Sequence, residues 1–256
     1  MREENGKERL AADRREQIEQ RINSNGSVTV DELASFFLVS PMTIRRDLIQ
    51  MQRDGKLERC YGGAVAKREI TYCEKQINQR DEKIKIAQVC ASYIRAEDNI
   101  FLDAGTTTYE IAKLIRNRNG IFVATNDLEI ARLLSDSKIE LFLLGGTLQK
   151  ETGSVCGNYA IRMLNDLKFD IGFFGTAAIN NEFEVMTPTE NKMWLKRNAL
   201  QQCQRSYLAV DATKFGRQAV RKINHLSDYT GIVTNRKFAP AEYSKLKEQG
   251  IIFISV

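Results

Sequence analysis

The chain has 256 residues, 43% of them hydrophobic and 28% charged, with a formal net charge of +5 at pH 7. That length suits one or two domains, and that composition excludes a collagen, a coiled-coil rod or a disordered chain. The longest apolar runs, such as Phe142-Leu143-Leu144, fall far short of the roughly 20 residues of a membrane span, and no apolar signal region follows the polar N-terminus, so a cytoplasmic protein without membrane contact is expected.

Residues 1–13 are charged and expected to fray. A first helix reads from about Arg14 to Asn23, with Ile18 and Ile22 one turn apart, and Asn25-Gly26 ends it. Val28 and Val30 alternate with polar neighbours, as in a strand. A second helix covers Asp31 to Phe37, burying Leu33, Ala34 and Phe37, and Leu38-Val39 form a tight turn. Ser40 is then an N-cap and Pro41 a first helical residue. In this third helix Ile44, Leu48 and Met51 make one apolar stripe, with Met42, Arg46, Ile49 and Arg53 on the opposite side. Asp54-Gly55 turns the chain into a two-stranded wing, residues 56–59 and 61–65.

Residues 40–68 hold seven basic side chains (Arg45, Arg46, Arg53, Lys56, Arg59, Lys67, Arg68) against three acidic ones (Asp47, Asp54, Glu58). A helix, a tight turn and a second helix with adjacent arginines fit a helix-turn-helix reader of double-stranded DNA. Arginine in the third helix would bond guanine edges in the major groove. Ser40 and Thr43 would hold phosphates, and Arg59 would meet the backbone or minor groove. Gly62-Gly63 would let main chain approach phosphate. The bland alternative is a small helical domain with solvated arginines.

Arg15 to Val65 resembles the N-terminal winged helix of DeoR-type bacterial transcription regulators. The resemblance rests on Val30-Asp31-Glu32-Leu33-Ala34, on residues 39–48 with their Thr43-Ile44-Arg45-Arg46-Asp47-Leu48 core, and on Leu57-Glu58-Arg59-Cys60-Tyr61-Gly62-Gly63-Ala64. Tyr61 stands where that family commonly has histidine. The expected DNA contacts are Ser40, Met42, Thr43, Arg45, Arg46, Arg53, Arg59, Gly62 and Gly63.

Residues 66–80 have neither helical nor strand period and read as a linker to an α/β domain over 81–256. There a helix from about Glu82 to Ile94 leads to a strand at 99–102, and further strands read at 121–124, 140–144, 170–174, 207–210, 232–234 and 251–254, with helices between. That alternation argues for a mostly parallel sheet. Gly105-Thr106-Thr107-Thr108 after the first strand could cradle an anion at a helix N-terminus, or merely cap the helix. Asp103 fits better as an acceptor for sugar hydroxyls. Thr125-Asn126, Gly145-Gly146, Gly175-Thr176 and the Asp211 to Gly216 loop also follow strands, where open parallel sheets bind ligands. Each loop could be a plain turn; together they point to a pocket.

This half is similar to the sensor domain of the same family in Leu102 to Thr108, Thr125-Asn126, Leu144-Gly145-Gly146, Asp170 with Phe174-Gly175, and Asp211 with Lys214-Phe215-Gly216; Asp127 stands where the family usually has serine. The resemblance implies a ribose-5-phosphate isomerase-like fold and a phosphorylated sugar effector. Gly105 to Thr108 would then bind the phosphate, with Asp103, Thr125, Asn126, Gly145, Gly146, Asp211 and Lys214 around the sugar. A repressor of a carbohydrate-metabolism operon, acting as a homodimer or homotetramer, is expected. The alternative is a sugar-phosphate isomerase-like enzyme with a DNA-binding appendage, in which Asp103, Asp211 and Lys214 would do acid–base work.

Five widely spaced cysteines without a Cys-x-x-Cys pair, and His225 as the one histidine, suggest reduced thiols, no metal and no cofactor. Trp194 reads as core or interface and His225 as structural; Lys196 and Arg197 could help bind an anion, but read more readily as a solvated helix face.

Overall fold

The computed structural model describes residues 2–66 and 70–256. Helix α1 spans Arg2–Asn25, which corrects the expected start at Arg14; Met1 lies outside the described residues. Residues 2–13 are rich in Arg, Glu and Ala, good helix formers without a proline, so the helix begins earlier than its apolar period suggests. Leu10 on that extension remains 66% exposed.

Strand β1 (Ser27–Thr29), helices α2 (Val30–Phe37) and α3 (Pro41–Arg53), and strands β2 (Leu57–Cys60) and β3 (Gly63–Ala66) follow. The wing is three-stranded rather than two, ordered β1-β3-β2 and antiparallel throughout. Thr29 caps α2 by accepting from Glu32 N–H at 3.1 Å. Leu38, at φ 54°, turns the chain in the left-handed region. Ser40 Oγ then accepts from Thr43 N–H at 3.2 Å and starts α3. Ile44, Leu48 and Met51 are buried against Ile18, Ile22 and Leu33, while Met42, Arg46, Ile49 and Arg53 are exposed, as the helical period requires.

Lys67 and Arg68 of the basic block, with part of the expected linker, lie outside the described residues. Within that linker stands helix α4 (Tyr72–Ile77), closed by a capping box in which Thr71 and Glu74 bond each other's backbone N–H. The chain continues through α5 (Arg80–Ser92), β4 (Asn99–Leu102), α6 (Thr106–Ile115), β5 (Phe122–Thr125), α7 (Leu128–Leu134), β6 (Glu140–Leu143), the hairpin β7 (Thr147–Gln149) and β8 (Ser154–Cys156), and α8 (Asn158–Asn165). Next come β9 (Phe169–Phe174), β10 (Ala178–Ile179), β11 (Glu184–Thr187), α9 (Glu190–Gln201), β12 (Cys203–Ala209), β13 (Arg221–His225), β14 (Gly231–Thr234), α10 (Pro240–Glu248) and β15 (Phe253–Ser255).

Seven strands pair in the order β15-β14-β12-β9-β4-β5-β6, and every pairing is parallel. Both sheet faces are covered, as a parallel sheet demands. Ile100 and Leu102 point to a cluster holding Ile86, Ile111 and Ile130 of α5, α6 and α7. Phe101 points the other way, to Ala160, Leu195 and Leu246 of α8, α9 and α10. The order reverses between β4 and β9, which makes a switch point where a crevice opens beyond the strand ends. Strands β10, β11 and β13 form a small antiparallel sheet at the side. At the contact with the N-terminal unit, Arg217 Nη1 donates to the Asn25 carbonyl at the end of α1, at 2.6 Å.

Candidate functional site

A cavity opens at the carboxyl ends of β4, β5, β9 and β12. Of the residues expected around an effector, Asp103, Thr106, Thr107, Thr108, Asn126, Asp211 and Lys214 line it together, and Gly105, Thr125, Gly145 and Gly146 do not. Gly105 N–H is taken by Asp127 Oδ2 at 3.0 Å. Thr125 Oγ1 donates to the Leu102 carbonyl at 2.7 Å and ties β5 to β4. Gly145 N–H points at Met163 Sδ, 3.2 Å away. Gly146 is needed because a Cβ there would lie 2.5 Å from the Cys156 carbonyl oxygen, so its role is hairpin packing.

Asp127 organises the rim. Besides Gly105 it accepts Glu129 and Ile130 N–H at 2.8 and 3.0 Å, capping α7. Burial pushes its carboxyl up to about 6, against those three bonds, and nearby Asp103 adds to the rise. Asn126 Oδ1 accepts Ala104 N–H at 2.9 Å. No side chain caps α6, so the amides of its first turn remain for a ligand, with the helix dipole behind them.

Asp103 is fully buried. One carboxylate oxygen accepts Gly175 N–H at 3.0 Å and pairs with Lys196, whose ammonium also donates to the Gly175 carbonyl at 2.9 Å. Lys196 is therefore not on a solvated face, as its helix suggested, but buried beneath the cavity where α9 crosses the strand ends. The other oxygen of Asp103 has no partner among the described residues. Asp211 Oδ1 accepts Thr213 N–H at 2.9 Å and shapes the turn that carries Lys214. Burial pushes the Lys214 ammonium down to about 8, with Asp211 working against the fall.

Sequence reasoning also missed Tyr72, Lys75, Lys83, Thr152, Ser154 and Lys192 in the cavity wall. Lys83 donates to the carbonyls of Lys75 and Asn78, the second at 2.6 Å, and so holds the end of α4. Burial lowers its pKa. Lys192 Nζ donates to Thr152 Oγ1 at 3.1 Å. Five lysines against two aspartates give the cavity a cationic wall suited to an anion.

In the N-terminal unit Ser40, Met42, Arg45, Arg46, Arg53, Arg59 and Gly62 are exposed and Thr43 half-exposed. The four arginines hold no ion pair among the described residues. Asp47 of the same helix faces inward, bonded to Arg14 Nε at 2.6 Å, so it fixes α3 on α1. Gly63 is buried where β3 passes β1, and a Cβ there would lie 2.1 Å from the Val28 carbonyl oxygen. Backbone packing alone already requires a glycine there. Trp194 is 45% exposed. His225 bonds Ser227 at 2.8 Å and caps a local turn. No helix among the described residues is long and apolar enough to cross a membrane.

Two family descriptions match the chain: the DeoR-like helix-turn-helix domain over residues 14–69 and the DeoR C terminal sensor domain over 78–236. A lactose phosphotransferase system repressor of Streptococcus mutans is 33% identical over 87% of this chain and 91% of its own. The HTH-type transcriptional regulator GlpR of Haloferax volcanii is 28% identical over 96% and 98%. Among solved structures, ribose 5-phosphate isomerase A of Methanocaldococcus jannaschii is 16% identical, covering 54% of this chain and 55% of that one at a TM-score of 0.41. A winged helix with an exposed arginine face, joined to a parallel-sheet sensor and matched over nearly its full length, places this chain in the DeoR family of DNA-binding transcriptional regulators.

Proposed function

We propose that the chain represses a carbohydrate-metabolism operon and that a phosphorylated sugar in the sensor cavity changes its operator affinity. In this reading residues 1–65 are the DNA-binding head, 66–80 the connector and 81–256 the sensor. The head reads DNA through Ser40, Met42, Thr43, Arg45, Arg46, Arg53, Arg59 and Gly62. A homodimer or homotetramer presents two heads to a repeated site.

The observation that carries the effector reading is the cavity itself. The uncapped start of α6 and the lysines suit a phosphate, and the buried Asp103, Asn126 and Asp211 suit the hydroxyls of a polyol. Arg217 lies three residues beyond Lys214 and bonds the end of α1, which supports a direct route from cavity to head. A coupling of ~1–3 kcal/mol would change operator affinity roughly 5–150-fold.

Thermal unfolding of the full chain with a panel of pentose and hexose phosphates tests this. A ligand at 100 times its Kd stabilises by ~2.7 kcal/mol, which for this sensor raises the midpoint by roughly 5–10 °C. No stabilisation by any member would remove the effector reading. Gel shifts on the DNA upstream of the chain's own gene test the head. Arg46→Ala should weaken binding roughly 5- to 150-fold, the worth of one bidentate guanine contact, and relax sequence preference. Lys214→Ala should bind that DNA as the wild type does and lose most of its response to the stabilising sugar phosphate. Full release of DNA by that compound would exclude Lys214 from the site.

A further inference from the structure

Helix α4 belongs, by sequence, to the segment joining head and sensor, yet it forms part of the cavity wall. Tyr72 opens it. Its backbone N–H donates to the Glu151 carbonyl in the β7–β8 turn at 2.8 Å, and its ring meets Tyr109 of α6 edge-on, centroids 6.3 Å apart. Lys83 holds the other end of the helix through the Lys75 and Asn78 carbonyls. The ring is thus fixed, and its hydroxyl is buried beside the cavity with no hydrogen-bond partner among the described residues.

A buried hydroxyl without a partner is costly, so native proteins seldom leave one. A second orphan, Asp103 Oδ1, stands on the wall of the same cavity. One is a donor and the other an acceptor. A ligand hydroxyl satisfies both kinds of group, since it accepts and donates at once. An inorganic anion is chiefly an acceptor and is itself negative, so the Asp103 carboxylate repels it.

We propose that the Tyr72 hydroxyl donates to a hydroxyl of the sugar-phosphate effector, which makes the connector helix α4 a wall of the sensor. The inference rests on the cavity being the effector site. Its consequence is mechanical: Ile70, two residues before Tyr72, packs 3.2 Å from where a Cβ of Gly26 would sit at the end of α1. The ligand therefore touches the segment that itself lies against the head.

Tyr72→Phe removes one oxygen and keeps the ring contact with Tyr109. The full-length variant is compared with the wild type by thermal unfolding and titration calorimetry, using inorganic phosphate and the pentose and hexose phosphates. Without ligand the midpoint should be unchanged or raised, because the atom removed has no hydrogen-bond partner among the described residues. The stabilising sugar phosphate should bind about 5- to 20-fold more weakly, as for one lost hydrogen bond to a neutral donor. Stabilisation by inorganic phosphate should be unaffected. Wild-type affinity for the sugar phosphate in Tyr72→Phe would overturn this inference and leave the effector site standing, and so would an equal loss toward inorganic phosphate. If no sugar phosphate stabilises the wild type, the effector reading falls and this one with it.

Discussion

Lys196→Met should destabilise the sensor by about 3–5 kcal/mol, the cost of leaving one partner of a buried ion pair alone. For a unit of this size that lowers the unfolding midpoint by on the order of 10 °C. Asp103 is fully buried and, among the described residues, its paired oxygen keeps only the Gly175 N–H once Lys196 is gone, while its other oxygen has no partner. The double variant Asp103→Asn with Lys196→Met should recover most of the loss, since a neutral amide no longer needs a counter-charge. Denaturant unfolding of the two single variants and the double one closes the cycle. A Lys196→Met cost under about 1 kcal/mol would show that the pair is not desolvated in solution, and additive single effects would show that the two groups do not act as a unit.

Lys196 illustrates what the sequence could and could not reveal. A lysine on a polar helix has no local signal of burial, and its partner lies 93 positions away. Tyr72 and Lys83 are hidden for the same reason, because both sit on helices whose placement over the sheet is decided by packing. The residues that were legible follow local rules. Asp103, Asn126 and Asp211 come directly after apolar strands, where the parallel sheet puts its binding edge. Ser40, Pro41 and the Ile44, Leu48, Met51 stripe fix the start and the faces of α3 without reference to anything distant. The short strands β7, β8, β10 and β11 run only two to four residues, too few for an alternation to stand out from a loop. Gly145 and Gly146 looked like rim residues because they follow β6, but they pack against Met163 and Cys156 and do not line the cavity.

The same distinction between local signal and distant cause governs the adjacent glycines of the wing, and substituting them separately should expose it. Gly62→Ala places a methyl in open space at φ +75°. The cost is the left-handed backbone alone, about 1–2 kcal/mol. At Gly63 the methyl would lie 2.1 Å from the Val28 carbonyl oxygen and 3.0 Å from Thr29 Cα. These are backbone atoms of β1, paired with β3 in the register Val28 to Ala64 and Thr29 to Gly63, so no side-chain rotation relieves the contact. Strand β1 must move away, and Val28, 1% exposed, leaves the small core it shares with Ile18, Leu33 and Leu48. Overpacking costs about 1–3 kcal/mol when side chains can adjust and more when backbone must separate, and a head of this size has few kcal/mol to lose. Gly63→Ala should therefore abolish operator binding and open residues 14–66 to protease, while residues 81–256 stay folded and resistant. Gly62→Ala should keep a folded head with a modest loss of DNA affinity. Equal behaviour of the two variants in proteolysis and gel shift would mean that the pair serves contact with phosphate after all, and that β1 has room to yield.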